Sequence, residues 1–249
     1  MSTTSSYMRL ADGRLGLRRL RDGAGISVLC FPHAGGQSLA FRDLAAQLRG
    51  DISLHAVDPP GHGWALGPPL TSITELVSLY REHLPPGLLA GALLGHSMGG
   101  YVALELAATA PFSPRAVIVG ATRPPHRRGE YTALSQLDDA ALRQTLDQGD
   151  AEASTPAALF DHFRPIIRAD LRAFDEYQPP ERPLATPLLA VGGLEDALCR
   201  SEHVFDWHIY ADRCEVDFVA GGHLFMQSQP GAYATRISRF LAGIGPTCG

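Results

Sequence analysis

Six short apolar runs recur along the chain: Ile26 to Phe31, Ile52 to Val57, Leu89 to Leu94, Ala116 to Val119, Leu188 to Val191 and Val216 to Val219. Each has the length of a strand, and the set lacks the steady polar alternation of a sheet with one wet face. Between them the apolar residues fall at helical spacing, as in Leu39/Leu44/Ala45/Leu48, Ile73/Leu76/Val77/Tyr80 and Tyr233/Ile237/Phe240/Leu241. Met98 to Ala110 is a further helix with small residues on one face. Strands of this kind separated by helices predict an α/β fold, with a mostly parallel sheet covered on both faces. In such sheets ligands sit beyond the carboxyl ends of the strands, so the loops that follow strands are where chemistry is expected.

One such loop carries Gly95-His96-Ser97-Met98-Gly99. A buried strand runs into it and a small-residue helix leaves it, which is the context that turns a loose G-x-S-x-G match into the nucleophile elbow of an α/β-hydrolase. The sharp turn crowds its neighbours, and glycines relieve the crowding. Ser97 is then the candidate nucleophile, at a helix N-terminus that favours developing negative charge. A serine hydroxyl needs a base, and His223 follows the strand Val216 to Val219 on a loop opened by Gly221-Gly222. The base needs an acid to orient it, and the order Ser, acid, His points to the loop after Leu188 to Val191. That loop offers Glu195 and Asp196, of which Asp196 is preferred. The oxyanion would be met by the backbone N–H of Met98 and by one from Phe31-Pro32-His33-Ala34-Gly35-Gly36, with Ala34 first and Gly35 as the fallback. His96, inside the elbow, reads as packing.

The stretch from Ala121 to Arg182 holds no strand-like run and looks helical at Leu134–Leu146, Pro156–Phe163 and Ile166–Tyr177. It is expected to be a helical lid insertion, residues 122–182, within a single α/β-hydrolase domain of residues 1–249. Arg123, His126, Arg127 and Arg128 at its start could face an acidic carrier or phosphate, or simply solvent.

The charge balance excludes other classes. There are 21 Lys+Arg against 26 Asp+Glu, a formal net charge of −5, with no basic run, so nucleic acid and anionic membrane are not expected partners. The polar start Met1 to Tyr7 does not read as a secretory leader, and the most apolar stretch, Leu88 to Leu94, is too short to span a bilayer. Cys30, Cys199, Cys214 and Cys248 show no metal or C-x-x-C spacing, so reduced thiols and a cytoplasmic location are expected. No distinct interface segment stands out, so a monomer is expected.

Three segments together resemble the type II thioesterases, the stand-alone editing enzymes of polyketide synthases and nonribosomal peptide synthetases. They are Cys30-Phe31-Pro32-His33-Ala34-Gly35-Gly36, Gly95-His96-Ser97-Met98-Gly99-Gly100 and Gly221-Gly222-His223-Leu224-Phe225. Ile167-Arg168-Ala169-Asp170, Tyr177 and the Gly-x-x-Asp of Gly193-Leu194-Glu195-Asp196 also match. The resemblance implies hydrolysis of acyl or aminoacyl thioesters on the phosphopantetheine arm of an acyl or peptidyl carrier protein. It implies Ser97, His223 and Asp196 as catalytic residues, His33, Gly35 and Leu224 beside the substrate, and no metal or organic cofactor. Two departures stand out. Pro60-Gly61-His62-Gly63-Trp64 lacks an arginine the family often carries there, in a segment expected to border the pocket. Leu224 replaces an aromatic residue.

Overall fold

The computed structural model describes residues 6–109, 111, 113–149, 157–180 and 182–244. Eight strands form one sheet: β1 (Ser6–Leu10), β2 (Leu15–Arg21), β3 (Ser27–Phe31), β4 (Ser53–Asp58), β5 (Ala92–His96), β6 (Ala116–Gly120), β7 (Leu188–Gly193) and β8 (Cys214–Val219). Their order is β1-β2-β4-β3-β5-β6-β7-β8. From β4 to β8 every pairing is parallel; β1 and β2 join antiparallel at one edge. The parallel body and flanking helices are those expected of an α/β-hydrolase. The N-terminal hairpin was not expected from the sequence, and β5 begins later than the apolar run Leu89 to Leu94 suggested.

The helices are α1 (Arg42–Gln47), α2 (Ile73–His83), α3 (Pro86–Leu89), α4 (Met98–Thr109), α5 (Asp139–Gly149), α6 (Ala157–Glu176), α7 (Ser201–Val204), α8 (Phe225–Ser228) and α9 (Pro230–Gly243). Alternate strand residues feed two separate cores. Leu29, Leu93 and Val117 point to a layer containing α2, α4 and Trp207. Val28, Cys30, Ala92, Leu94 and Ile118 point to a layer containing α1 and α9. Both faces are sealed, which is why the strands read as plain apolar runs. Truncating a side chain such as Leu93, 1% exposed, to alanine should cost about 2–5 kcal/mol.

Between β6 and β7 lie α5 and α6, with residues 150–156 of the expected lid outside the described residues. The two helices anticipated at 156–163 and 166–177 are the single α6, which runs through Pro165. Proline removes one backbone hydrogen bond there and usually kinks a helix. Leu134, Leu142, Phe160 and Leu171 form a small third core beneath this segment, with Ala34 and Ile167 packed on it. No helix among the described residues is long and apolar enough to cross a membrane. Among the described residues Cys30, Cys199 and Cys214 are free thiols, the first two buried; Cys248 lies outside them.

Candidate active site

The elbow between β5 and α4 holds Ser97 at φ 53°, a left-handed backbone unusual for a residue with a side chain. Such strain costs on the order of 1–3 kcal/mol and persists only where surroundings over-determine it. Here the Ser97 N–H donates to Gly120 O at 2.8 Å. The Thr122 hydroxyl lies 3.0 Å from Ser97 O and 2.9 Å from Gly120 O. Tight packing completes the clamp. A Cβ on Gly95 would lie 1.9 Å from Gly99 O, and one on Gly99 would lie 2.1 Å from Phe31 O. Any larger residue at either position forces β5, α4 and the β3 loop apart.

The clamp aims Ser97 at His223. Ser97 Oγ and His223 Nε2 are 2.9 Å apart. His223 Nδ1 lies 2.9 Å and 3.1 Å from the two Asp196 carboxylate oxygens. Asp196 also accepts from Leu198 N–H at 2.8 Å and Cys199 N–H at 2.9 Å, and its side chain is fully buried. A carboxylate held by two backbone donors fixes His223 Nδ1 as the donor nitrogen and leaves Nε2 free to accept from Ser97. Glu195, the other candidate, is exposed and accepts from Gly221 N–H instead, so it braces the loop that carries His223.

His96 does more than pack. Its Nε2–H donates to His223 O at 2.7 Å, fixing the backbone of the base. Burial, with His223 and His33 nearby, pushes its pKa well below the usual histidine value, so it is neutral and serves as a donor at Nε2.

A second histidine–aspartate pair lies under the β3 loop. His62 Nε2 is 2.8 Å from Asp170 Oδ2 on α6, and His62 Nδ1 donates to Pro60 O at 3.0 Å. The same Asp170 oxygen accepts Gly35 N–H at 2.7 Å. Both side chains are 2% exposed. Burial works to lower the His62 pKa, but the Asp170 charge and hydrogen bond, aided by Pro60 O, outweigh it and raise it. The Gly35 N–H is thus committed to Asp170, which leaves Ala34 as the better placed of the two candidates for an oxyanion. His33 curls over this loop, its Nδ1 2.9 Å from Ala34 O, and burial lowers its pKa. The Pro60–Trp64 segment does not line the cavity as expected. Trp64 packs on Tyr7 instead, with Arg18 over both rings.

The sequence singled out Ser97, Asp196, His223, Met98, Ala34, His33, Gly35 and Leu224, and the fold brings them together. Apart from Asp196, which stands behind His223, and Met98, which borders a small side cavity, they line the mouth of one apolar cavity of about 230 Å³. Phe160, Phe163, Ile167 and Leu171 of α6 and Leu146 of α5 wall it. Thr122 and the His62–Asp170 pair were not read as site residues.

The basic cluster separates. Arg127 is held by Asp206 and Glu130 at 2.6 Å each, and His126 by Tyr210 and Asp206. Arg123 is buried and turned inward. No open basic face remains from these three; the Arg128 side chain lies outside the described residues.

Comparisons with known proteins agree with this geometry. The chain is 31% identical to the AMB antimetabolite synthetase AmbE of Pseudomonas aeruginosa over 80% of its own length, while spanning only 10% of that protein. It superposes on RedJ, a thioesterase from the prodiginine biosynthetic pathway of Streptomyces coelicolor, with a TM-score of 0.78 at 31% identity, covering 86% of this chain and 90% of RedJ. The type II thioesterase BorB from the borrelidin biosynthetic cluster gives 0.77 at 29% identity, covering 90% and 97%. The thioesterase domain family matches residues 27–241, and with an elbow serine, a histidine and a buried aspartate in hydrogen-bonded sequence, the chain belongs to that family of α/β-hydrolases.

Proposed function

We propose that this chain is a stand-alone type II thioesterase that removes acyl or aminoacyl groups from the phosphopantetheine arm of carrier proteins. In this reading residues 1–249 act as one catalytic domain, residues 122–182 are its lid, and the enzyme works as a cytoplasmic monomer on an acyl or peptidyl carrier protein. The observation that carries it is the hydrogen-bonded series Ser97, His223, Asp196 at the mouth of an apolar cavity. The names of RedJ and BorB supply the biosynthetic context.

The chemistry follows from the geometry. His223 Nε2 takes the Ser97 proton as Ser97 Oγ attacks the thioester carbonyl, and Asp196 stabilises the imidazolium that forms. The N–H groups of Met98 and Ala34 receive the oxyanion. The carbon–sulfur bond breaks, the pantetheine sulfur takes the proton from His223, and an acyl-Ser97 ester remains. His223 then draws a proton from water, which attacks that ester and releases the free acid and Ser97. No metal or organic cofactor enters the scheme.

The test is release of acyl groups from a phosphopantetheinylated carrier protein beside the same groups as simple oxygen esters, followed by intact-protein mass spectrometry. Faster release from the carrier, lost in Ser97→Ala, is the expected result. Ester cleavage with an untouched carrier would leave an esterase on this fold.

A further inference from the structure

Beneath the turn that offers the Ala34 N–H to the oxyanion lies a buried ion pair that no step of hydrolysis uses. The turn is closed by Gly36 N–H donating to His33 O at 2.8 Å. His33 O and Ala34 N–H belong to one peptide plane, so that bond sets where the Ala34 N–H points. The next plane is pinned at both ends. Ala34 O accepts from His33 Nδ1 at 2.9 Å, and Gly35 N–H donates to Asp170 Oδ2 at 2.7 Å. Gly35 has a φ of 75°, and a Cβ there would lie 2.7 Å from Ile167 Cγ1. Ile167 and Asp170 stand one turn apart on the same face of α6. The turn is thus seated on α6 through one apolar and one charged side chain.

Asp170 holds the turn in this way only while His62 carries both of its protons. His62 Nε2–H donates to the same Asp170 oxygen at 2.8 Å, and Nδ1–H donates to Pro60 O at 3.0 Å. A neutral imidazole has a single N–H. If Nδ1 loses its proton, a lone pair meets Pro60 O; if Nε2 loses it, a lone pair meets the carboxylate. Either loss turns an attraction into a repulsion, among side chains that are 2% exposed and sealed from the water that would relieve it. The surrounding groups do not compensate. Asp58 at the end of β4 favours the cation, as Asp170 does. Burial raises the Tyr80 phenol on α2 and lowers the His33 imidazole, so both are neutral where His62 titrates.

We propose that His62, acting through Asp170, is a positioning residue for the Ala34 N–H, and that acyl transfer slows when His62 gives up its proton. The fold then carries two histidines that impose opposite limbs on the rate. His223 must be neutral to accept the Ser97 proton, so acid silences it. His62 must be charged to hold the turn, so alkali silences it. This inference rests on the thioesterase reading above, with the oxyanion role given there to Ala34.

The experiment follows kcat and KM for acyl-pantetheine hydrolysis from about pH 6 to about pH 10 in wild type, His62→Gln and His62→Arg, with spontaneous hydrolysis subtracted. Beside it, NMR titration of wild type reads the His62 ring and the Gly35 amide separately. In wild type kcat should fall by about tenfold to a hundredfold on the alkaline side, with KM little changed, because a displaced oxyanion donor weakens the transition state rather than substrate binding. The Gly35 amide should shift with the same midpoint as the His62 ring. His62→Gln should show the low plateau at every pH, and His62→Arg, a permanent cation, should keep the high plateau to the alkaline end. An alkaline limb that persists unchanged in His62→Arg would overturn the proposal. If His62→Arg does not fold, the NMR titration decides, and a Gly35 amide that does not follow His62 overturns it. If no thioester is cleaved at any pH while labelling of Ser97 by a fluorophosphonate slows with the His62 midpoint, the positioning role stands and the thioesterase reading falls.

Discussion

Two histidine–aspartate pairs are built from the same chemistry and put to different ends. In the His223–Asp196 pair the second imidazole nitrogen faces a hydroxyl that can give up a proton. In the His62–Asp170 pair it faces the Pro60 carbonyl, which can only accept. The first imidazole can therefore cycle between neutral and charged forms. The second has both nitrogens committed as donors and is held charged. The first also keeps 13% of its side chain exposed at the cavity mouth, whereas the second is sealed at 2%. What makes a histidine a base is thus the partner of its other nitrogen rather than the aspartate both share.

The contrast can be broken most severely at the reacting pair. Ser97→Ala and His223→Ala should each lower kcat by about 10⁴–10⁶, and the double variant should lose little more, because the groups act as a unit. Single-turnover acyl release measures this, and substantial turnover by either variant would remove the scheme. Asp196→Asn should cost about 10⁴ in kcat by favouring the wrong imidazole tautomer, with a modest change in Tm. Asp170→Asn should invert that pattern. It leaves the His62 cation buried without a counter-charge, so stability should fall by about 3–5 kcal/mol. Its kcat should fall only about tenfold to a hundredfold, through a looser Gly35 loop. Denaturant melts beside kinetics on the two asparagine variants separate the roles; matching profiles would mean the pairs are not different in kind.

Titration sharpens the comparison with smaller effects. The His62 pKa is raised in the folded state, so its contribution is fully present below about pH 6.5 and is lost as pH rises through the folded-state value. The Tm advantage of wild type over His62→Gln should accordingly shrink on going from pH 6 into the alkaline range. His96 has the opposite sign. Its folded pKa is lowered, so below about pH 6.5 the unfolded chain takes up a proton the folded one refuses, and stability falls. His96→Gln should flatten that acid-side decline in a pH series of melts. An unchanged slope would place the loss elsewhere.

Much of this could be read from the chain because the governing interactions are local. The strands announce themselves since both sheet faces are buried, and the elbow does so because Gly95 and Gly99 stand within four residues of each other around Ser97. The Gly-x-x-Asp pattern of Gly193 to Asp196 favours Asp196 over Glu195; what separates them in space is the pair of N–H groups at Leu198 and Cys199. The β1–β2 hairpin was hidden because β2 reads Leu-Gly-Leu-Arg-Arg-Leu-Arg, charged for a strand. Arg18 is nonetheless buried under the Tyr7 and Trp64 rings. The His62–Asp170 pair joins residues 108 apart, which no periodicity reports. The two helices expected at 156–163 and 166–177 are one because the third core packs on both sides of Pro165, through Phe160 and Leu171.

That proline also divides α6 by what each half can afford to change. Downstream, Asp170 ties to the β3 loop and Phe174 lies beneath Arg123, so a substitution there disturbs the site itself. Upstream, Leu159, Phe160 and Phe163 wall the cavity, and Leu159 is 47% exposed. The backbone hydrogen bond missing at Pro165 weakens the mechanical link between the halves. Natural divergence, or a laboratory library, confined to residues 157–164 could therefore retune which acyl chain is accepted while the reacting groups stay in register. The helix would act as an exchangeable cartridge seated on a fixed mount.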